Sequence, residues 1–120
     1  VVEHALAEIW QGEVWWVDSP EPVGAGPGFR RPVVIVQGDS VNRSRIATVV
    51  VVPLTSNSAW ARAPGNVLLS RAETGLPKVS VANASQISTI DRSQLTEQVG
   101  KLSPRKLAQI LTGIDVILGR

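Results

Sequence analysis

Only one stretch of this chain is patterned for a long helix, and it comes last. Ser103 suits an N-cap, Pro104 the first helical position and Gly119 the terminator. Between them Leu107, Ile110, Leu111, Ile114, Ile117 and Leu118 fall on one face at helical spacing. Gly113 inside that pattern costs about 1 kcal/mol relative to Ala, so packing must hold the helix in place. Everything before it is built from short β-rich runs. Glu13 to Asp18, bounded by Gly12 and Pro20, reads as a strand. Pro32 to Gln37 and Ala47 to Leu54 are continuous β-branched runs, the pattern of buried strands in a small barrel. Asn66 to Ser70 and Val79 to Gln86 add shorter strands, and Ile87 to Leu102 one or two more. A Pro/Gly loop occupies residues 20–28, and Gly38 to Arg45 is a loop or one helical turn. This order predicts a mainly β fold with a C-terminal α-helix (α+β), a small bent antiparallel sheet or barrel with the helix packed on it.

The same chain excludes several chemistries. Its 120 residues suit one domain, here residues 10–120 behind a short N-terminal tail of residues 1–9. With no Cys there are no disulfides, thiol nucleophiles or Cys-based zinc sites, and His4 alone cannot build the usual zinc-hydrolase or Ser-His-Asp arrangements. The longest apolar run, Ile46 to Leu54, falls well short of the roughly 20 residues a membrane span needs. Glu3, His4 and Glu8 break any signal-peptide pattern at the start. A cytoplasmic protein with no membrane partner is the expectation.

The net charge of +2 hides a segregation. Residues 1–29 carry −5, from Glu3, Glu8, Glu13, Asp18 and Glu21, whereas residues 30–78 carry +5. Nine of the twelve cations are Arg, the residue that grips phosphate bidentately. Dispersed charge on a solvated face is the commoner meaning of such counts, but the segregation favours an anionic partner.

Five stretches carry more specific information. Gly12-Glu13-Val14-Trp15-Trp16-Val17-Asp18 precedes a loop ending Arg30-Arg31-Pro32-Val33; Val51-Val52-Pro53-Leu54-Thr55-Ser56 follows; then come Gly75-Leu76-Pro77-Lys78 and Ser85-Gln86-Ile87-Ser88-Thr89-Ile90-Asp91. Each is weak alone, but in order and at compatible spacing they are strong. The series resembles the MazF/PemK/Kid toxins, endoribonucleases of type II toxin–antitoxin systems, over roughly residues 10–118. That resemblance implies an SH3-like small β-barrel of the CcdB/PemK kind and a homodimer. It implies cleavage of single-stranded RNA without metal or other cofactor, leaving a 2′,3′-cyclic phosphate and a 5′-hydroxyl. The implied inhibitor is a cognate MazE-like antitoxin, whose acidic segment lies in the RNA groove.

The resemblance also assigns residues. Arg31 matches the catalytic arginine and Thr55 the threonine after the third strand; a fixed cation and a hydroxyl can both stabilise charge building on a phosphorane. Pro32 biases Arg31 towards extended backbone. Thr55 could equally close an ST-turn at a strand end. Ser56, Arg30, Asn83, Ser85 and Gln86 are candidate RNA contacts, and Trp60 stands where the family has an RNA-contacting aromatic, though a Trp there could instead cap the barrel or line a dimer interface. Trp10, Trp15 and Trp16 read as core or interface residues. The chain departs from the family at Gly26, where many relatives carry an acid, and at Asn83 and Ser85, where Kid-like members carry Arg and Asp. The general base is therefore unassigned, with Asp18 and Glu21 the nearest acids. A CcdB-like gyrase poison is the rival of another class; such chains rely on a C-terminal Trp-Gly-Ile, and this one ends Ile117-Leu118-Gly119-Arg120. A member of the fold that binds RNA or antitoxin without cutting is a third reading.

Overall fold

The computed structural model describes residues 8–19 and 29–120. The loop expected at 20–28, with Glu21 and Gly26, and His4 in the tail lie outside the described residues. Strand β1 (Glu13–Ser19) pairs antiparallel with β2 (Phe29–Ile35), setting Trp16 opposite Pro32 and Val17 opposite Arg31. One helical turn, α1 (Asp39–Asn42), carries the chain to β3 (Thr48–Thr55). A 3₁₀ turn (Ser58–Arg62) then precedes β4 (Val67–Leu69), α2 (Arg71–Thr74) and β5 (Ser80–Ala82). A second 3₁₀ turn (Ala84–Gln86) leads to β6 (Ser88–Asp91), a third (Arg92–Gln94) to β7 (Leu95–Lys101), and α3 (Pro104–Leu118) follows.

The strands lie in the order β4-β5-β3-β2-β1-β7, with β6 beside β3, and every pairing is antiparallel. Strand β3 is the hub: β2 lies along one side, while β6 and β5 share the other. The run expected as a strand to Gln86 stops at Ala82, because the 3₁₀ turn at 84–86 falls where the register changes between β5 and β6.

The unbroken β-branched runs have a direct cause. Val33, Ile35, Val49 and Val51 point into one apolar cluster with Ile9, Trp15, Val17 and Leu95. Val34, Val36, Val52 and Leu54 point the other way, into a cluster with Val14, Leu69, Leu102, Ile110 and Ile114. Side chains alternate across a strand, so a sheet with a core on each face needs apolar residues at consecutive positions. Glu13 is a buried carboxylate in β1: its Oε1 accepts from the Trp10 backbone N–H and from Trp15 Nε1, both at 3.0 Å.

Helix α3 starts and stops as its sequence predicts. Ser103 Oγ accepts from the Lys106 N–H at 3.2 Å, Pro104 opens the helix, and Gly119 closes it at φ 72°. Ile110 and Ile114 are buried, but Ile117 and Leu118, counted with the apolar face, are exposed along with Val116. The core that α3 covers stops at Ile114, so the last turn runs past it. Gly113 has a reason of its own: a Cβ there would overlap the Gly65 carbonyl oxygen and come within 2.9 Å of its carbon. Helix and loop thus touch backbone to backbone.

Candidate functional site

The adjoining ends of β2 and β3 frame the site. Val33 lies opposite Pro53, Val34 opposite Val52 and Ile35 opposite Val51. That pairing ends at Val33 and Pro53; Arg31 and Thr55 lie two residues beyond it, Arg31 opposite Val17 on β1 and Thr55 opposite Val81 on β5. Both line a cleft of about 450 Å³ whose other walls are Trp16, Pro32, Leu54, Ser56, Leu76, Pro77, Lys78 and Ser80. Arg31 is exposed on this wall, within β2, where extended backbone before Pro32 was expected.

The chemistry of that lining is one-sided. It offers two cations, Arg31 and Lys78, and three hydroxyls, on Thr55, Ser56 and Ser80, against no carboxylate or imidazole. Such a donor set fits an anion. Thr55 Oγ1 accepts from the Asn57 N–H at 3.2 Å, so the turn reading holds. That bond uses a lone pair and leaves the hydroxyl proton for a ligand oxygen. Structural and functional readings of Thr55 are thus compatible.

The remaining expected contacts are not wall residues of this cleft. Asn83, Ser85 and Gln86 sit around the second 3₁₀ turn, and Trp60, 48% exposed, rides on the first. Asn66 joins these two turns: its Nδ2 donates to the Trp60 carbonyl at 2.9 Å and reaches Asn83 Oδ1 at 3.4 Å, while its Oδ1 accepts from the Ala84 N–H at 2.9 Å. Ser85 Oγ donates to Asn83 Oδ1 at 3.1 Å, so this pair meets although the backbone is not a strand. The Asn83 N–H donates to the Pro53 carbonyl at 3.0 Å, which puts this cluster beside the same end of β3.

Arg30, next to Arg31, points elsewhere. Its Nη2 pairs with Glu97 Oε2 at 2.6 Å, and its guanidinium lies 4.9 Å from the centre of the Trp16 ring. Asp18 stands opposite Arg30 on β1 and is exposed.

Sequence reasoning missed Trp16, Leu76, Pro77, Lys78 and Ser80 as wall residues. Trp16 was read as a core or interface residue, and the Gly75 to Lys78 motif was matched without being given a role. It also missed α2, although Ser70-Arg71-Ala72-Glu73 is a capping-box pattern. That box holds Glu73: hydrogen bonding from the Ser70 N–H, and then from its hydroxyl, keeps the carboxyl below the usual range against some burial, with Lys106 Nζ at 3.5 Å contributing. Gly75, at φ 81°, ends α2 against the Val99 carbonyl and turns the chain towards Lys78.

The chain is similar to several known proteins over most of its length. A relative from Mycobacterium tuberculosis, Endoribonuclease MazF6, is 39% identical over 110 residues, covering 92% of this chain and 96% of its own. Endoribonuclease MazF of Staphylococcus saprophyticus is 34% identical over 109 residues, covering 91% and 90%. A solved mycobacterial endoribonuclease in complex with its cognate antitoxin superposes with a TM-score of 0.73 at 27% identity, over 92% of this chain and 95% of that one. The family model for PemK-like, MazF-like toxins matches residues 10–118, and the chain belongs to that family of type II toxin–antitoxin toxins.

Proposed function

We propose that this protein is the toxin of a type II toxin–antitoxin pair and an endoribonuclease that cuts single-stranded RNA without a metal ion. In this reaction the 2′-oxygen attacks the adjacent phosphorus, and the bond from phosphorus to the 5′-oxygen breaks. The 2′-hydroxyl loses its proton to a base and the leaving 5′-oxygen gains one, so the products carry a 2′,3′-cyclic phosphate and a 5′-hydroxyl. Negative charge peaks on the non-bridging oxygens between these events. Arg31 is the fixed cation for that charge, and Thr55 donates its hydroxyl proton to the same phosphate, with Ser56 beside it. Preorganised donors of this kind contribute about 10²–10³ in rate each. Lys78 holds a neighbouring phosphate.

What carries this reading is the placement of Arg31 and Thr55 in one cleft lined by cations and hydroxyls. No carboxylate stands in the described wall, so charge stabilisation and alignment of the 2′-oxygen do most of the work. Asn66 steadies Asn83, Ser85 and Trp60 as a second contact group for the strand. The protein works as a homodimer, and a MazE-like antitoxin occupies the RNA surface with an acidic segment that answers its cations. No described helix is long and apolar enough to cross a membrane.

A long single-stranded transcript incubated with the protein in EDTA tests the proposal. Fragments ending in a cyclic phosphate and starting with a 5′-hydroxyl are expected. Intact RNA under these conditions, or ends of the opposite polarity, would overturn it.

A further inference from the structure

We infer that Trp16, and not Trp60, is the platform on which a base next to the scissile phosphate stacks. This inference rests on the ribonuclease reading of the same cleft and adds the residue that receives the base.

The cleft has two halves. Arg31, Lys78 and the hydroxyls suit phosphate, whereas Trp16, Pro32, Leu54, Leu76 and Pro77 form an apolar wall that phosphate chemistry does not use. An unpaired base beside the phosphate offers a flat apolar surface, which an aromatic side chain accepts whatever the base. Trp16 is the aromatic residue of that wall.

Its mounting is rigid. Along β1, Val14 and Trp16 point to the helix-covered cluster; Val14 is fully buried, while Trp16 is only partly so at the end where the cleft opens. Trp16 stands between Pro32 on β2 and Glu97 on β7. Arg30 and Glu97, from those flanking strands, close an ion pair at 2.6 Å with the guanidinium 4.9 Å from the ring centre. Arg30 is not among the wall residues, so it backs the indole from outside the cleft. Both side chains of that pair are more than half exposed, 51% and 59%, so its contribution is orientation of the ring more than stability. Trp60, by contrast, projects from a short 3₁₀ turn and lies outside the wall.

The test uses a fluorescent single-stranded RNA spanning a mapped cleavage site, with a 2′-deoxy nucleotide there so that it binds uncut. Trp16→Leu should weaken binding about 10-fold or more, Trp16→Phe should restore it to within about threefold, and Trp60→Leu should cost less than Trp16→Leu. An abasic nucleotide moved along the RNA should weaken wild-type binding at a position flanking the cut, and that penalty should vanish in Trp16→Leu. In the wild-type protein, 5-iodouridine at that position should crosslink to Trp16 on irradiation, which gives a reading independent of how any variant folds. Binding by Trp16→Leu within twofold of wild type, a penalty that persists in it, or crosslinking to Trp60 overturns the inference while wild-type cleavage stands. A wild-type protein that cuts no RNA removes the ribonuclease reading and this inference together.

Discussion

Gly113→Ala sets two physical rules against each other. Helix propensity alone favours the change by about 1 kcal/mol, because Gly is the poorer residue in a helix interior. The structure predicts the opposite sign. The added Cβ would overlap the Gly65 carbonyl oxygen, lying 2.9 Å from its carbon and 3.3 Å from its Cα. All three atoms are backbone, so no rotamer change relieves the contact. Gly65 cannot turn aside either, since its φ of 80° suits glycine and its own Cβ position faces the Gly113 carbonyl. Helix α3 must lift from the loop before β4, loosening Ile110 and Ile114 in the core. Overpacking of this kind costs about 1–3 kcal/mol. Less the propensity gain, a net loss of up to about 2 kcal/mol remains, which lowers Tm by up to roughly 8 °C in a domain of this size. Because Gly65 precedes Asn66, the strain also reaches Trp60 and Asn83, and RNA affinity should fall with stability. Thermal unfolding by circular dichroism, with the exposed Thr112→Ala as the reference, measures the sign. A Gly113→Ala protein that melts higher than wild type would refute the backbone-contact argument.

Two further substitutions test separate parts of the account. The Glu73 carboxyl is held below its ordinary range chiefly by the Ser70 N–H, so its contribution to stability is present above the unfolded value near 4.5 and fades as pH falls through the lower folded value. Glu73→Gln should therefore cost stability at neutral pH and flatten the acid limb of a Tm-against-pH curve, and an unchanged acid limb would contradict that linkage. Lys78→Ala should weaken RNA binding and reduce the slope of log K against log salt by about 0.7, the value for one contact to single-stranded phosphate; a full wild-type slope would remove Lys78 from the phosphate site.

Much of the fold was legible because its signals are local. The N-cap, Pro and terminal Gly of α3 act within a few residues, and consecutive Val and Ile in β2 and β3 announced buried strands. The last turn of α3 was misread because periodicity marks an apolar face without saying where the opposing core ends. The strand expected to reach Gln86 failed for a related reason: the slip between β5 and β6 is a property of β3's two neighbours together.

At the site, Arg31 and Thr55 were legible only through resemblance, since 24 positions separate them and only the folded sheet brings both to one cleft. Trp16 and Lys78 illustrate what composition hides. A Trp in a β-rich run reads as core, and Lys78 enters the cleft only after α2 and Gly75 turn the chain towards it. The acidic excess of the first segment is partly structural, as Glu13 is spent on Trp10 and Trp15.

The central claim is that Arg31 acts on the phosphorus-centred transition state. It is tested most directly by the single-turnover cleavage rate of Arg31→Ala on a short single-stranded RNA in EDTA, measured beside the Kd for the same RNA carrying a 2′-deoxy block. The account predicts a rate at least about 10²-fold below wild type with Kd changed much less. A rate within a few-fold of wild type, or a loss that saturating protein restores, would contradict it.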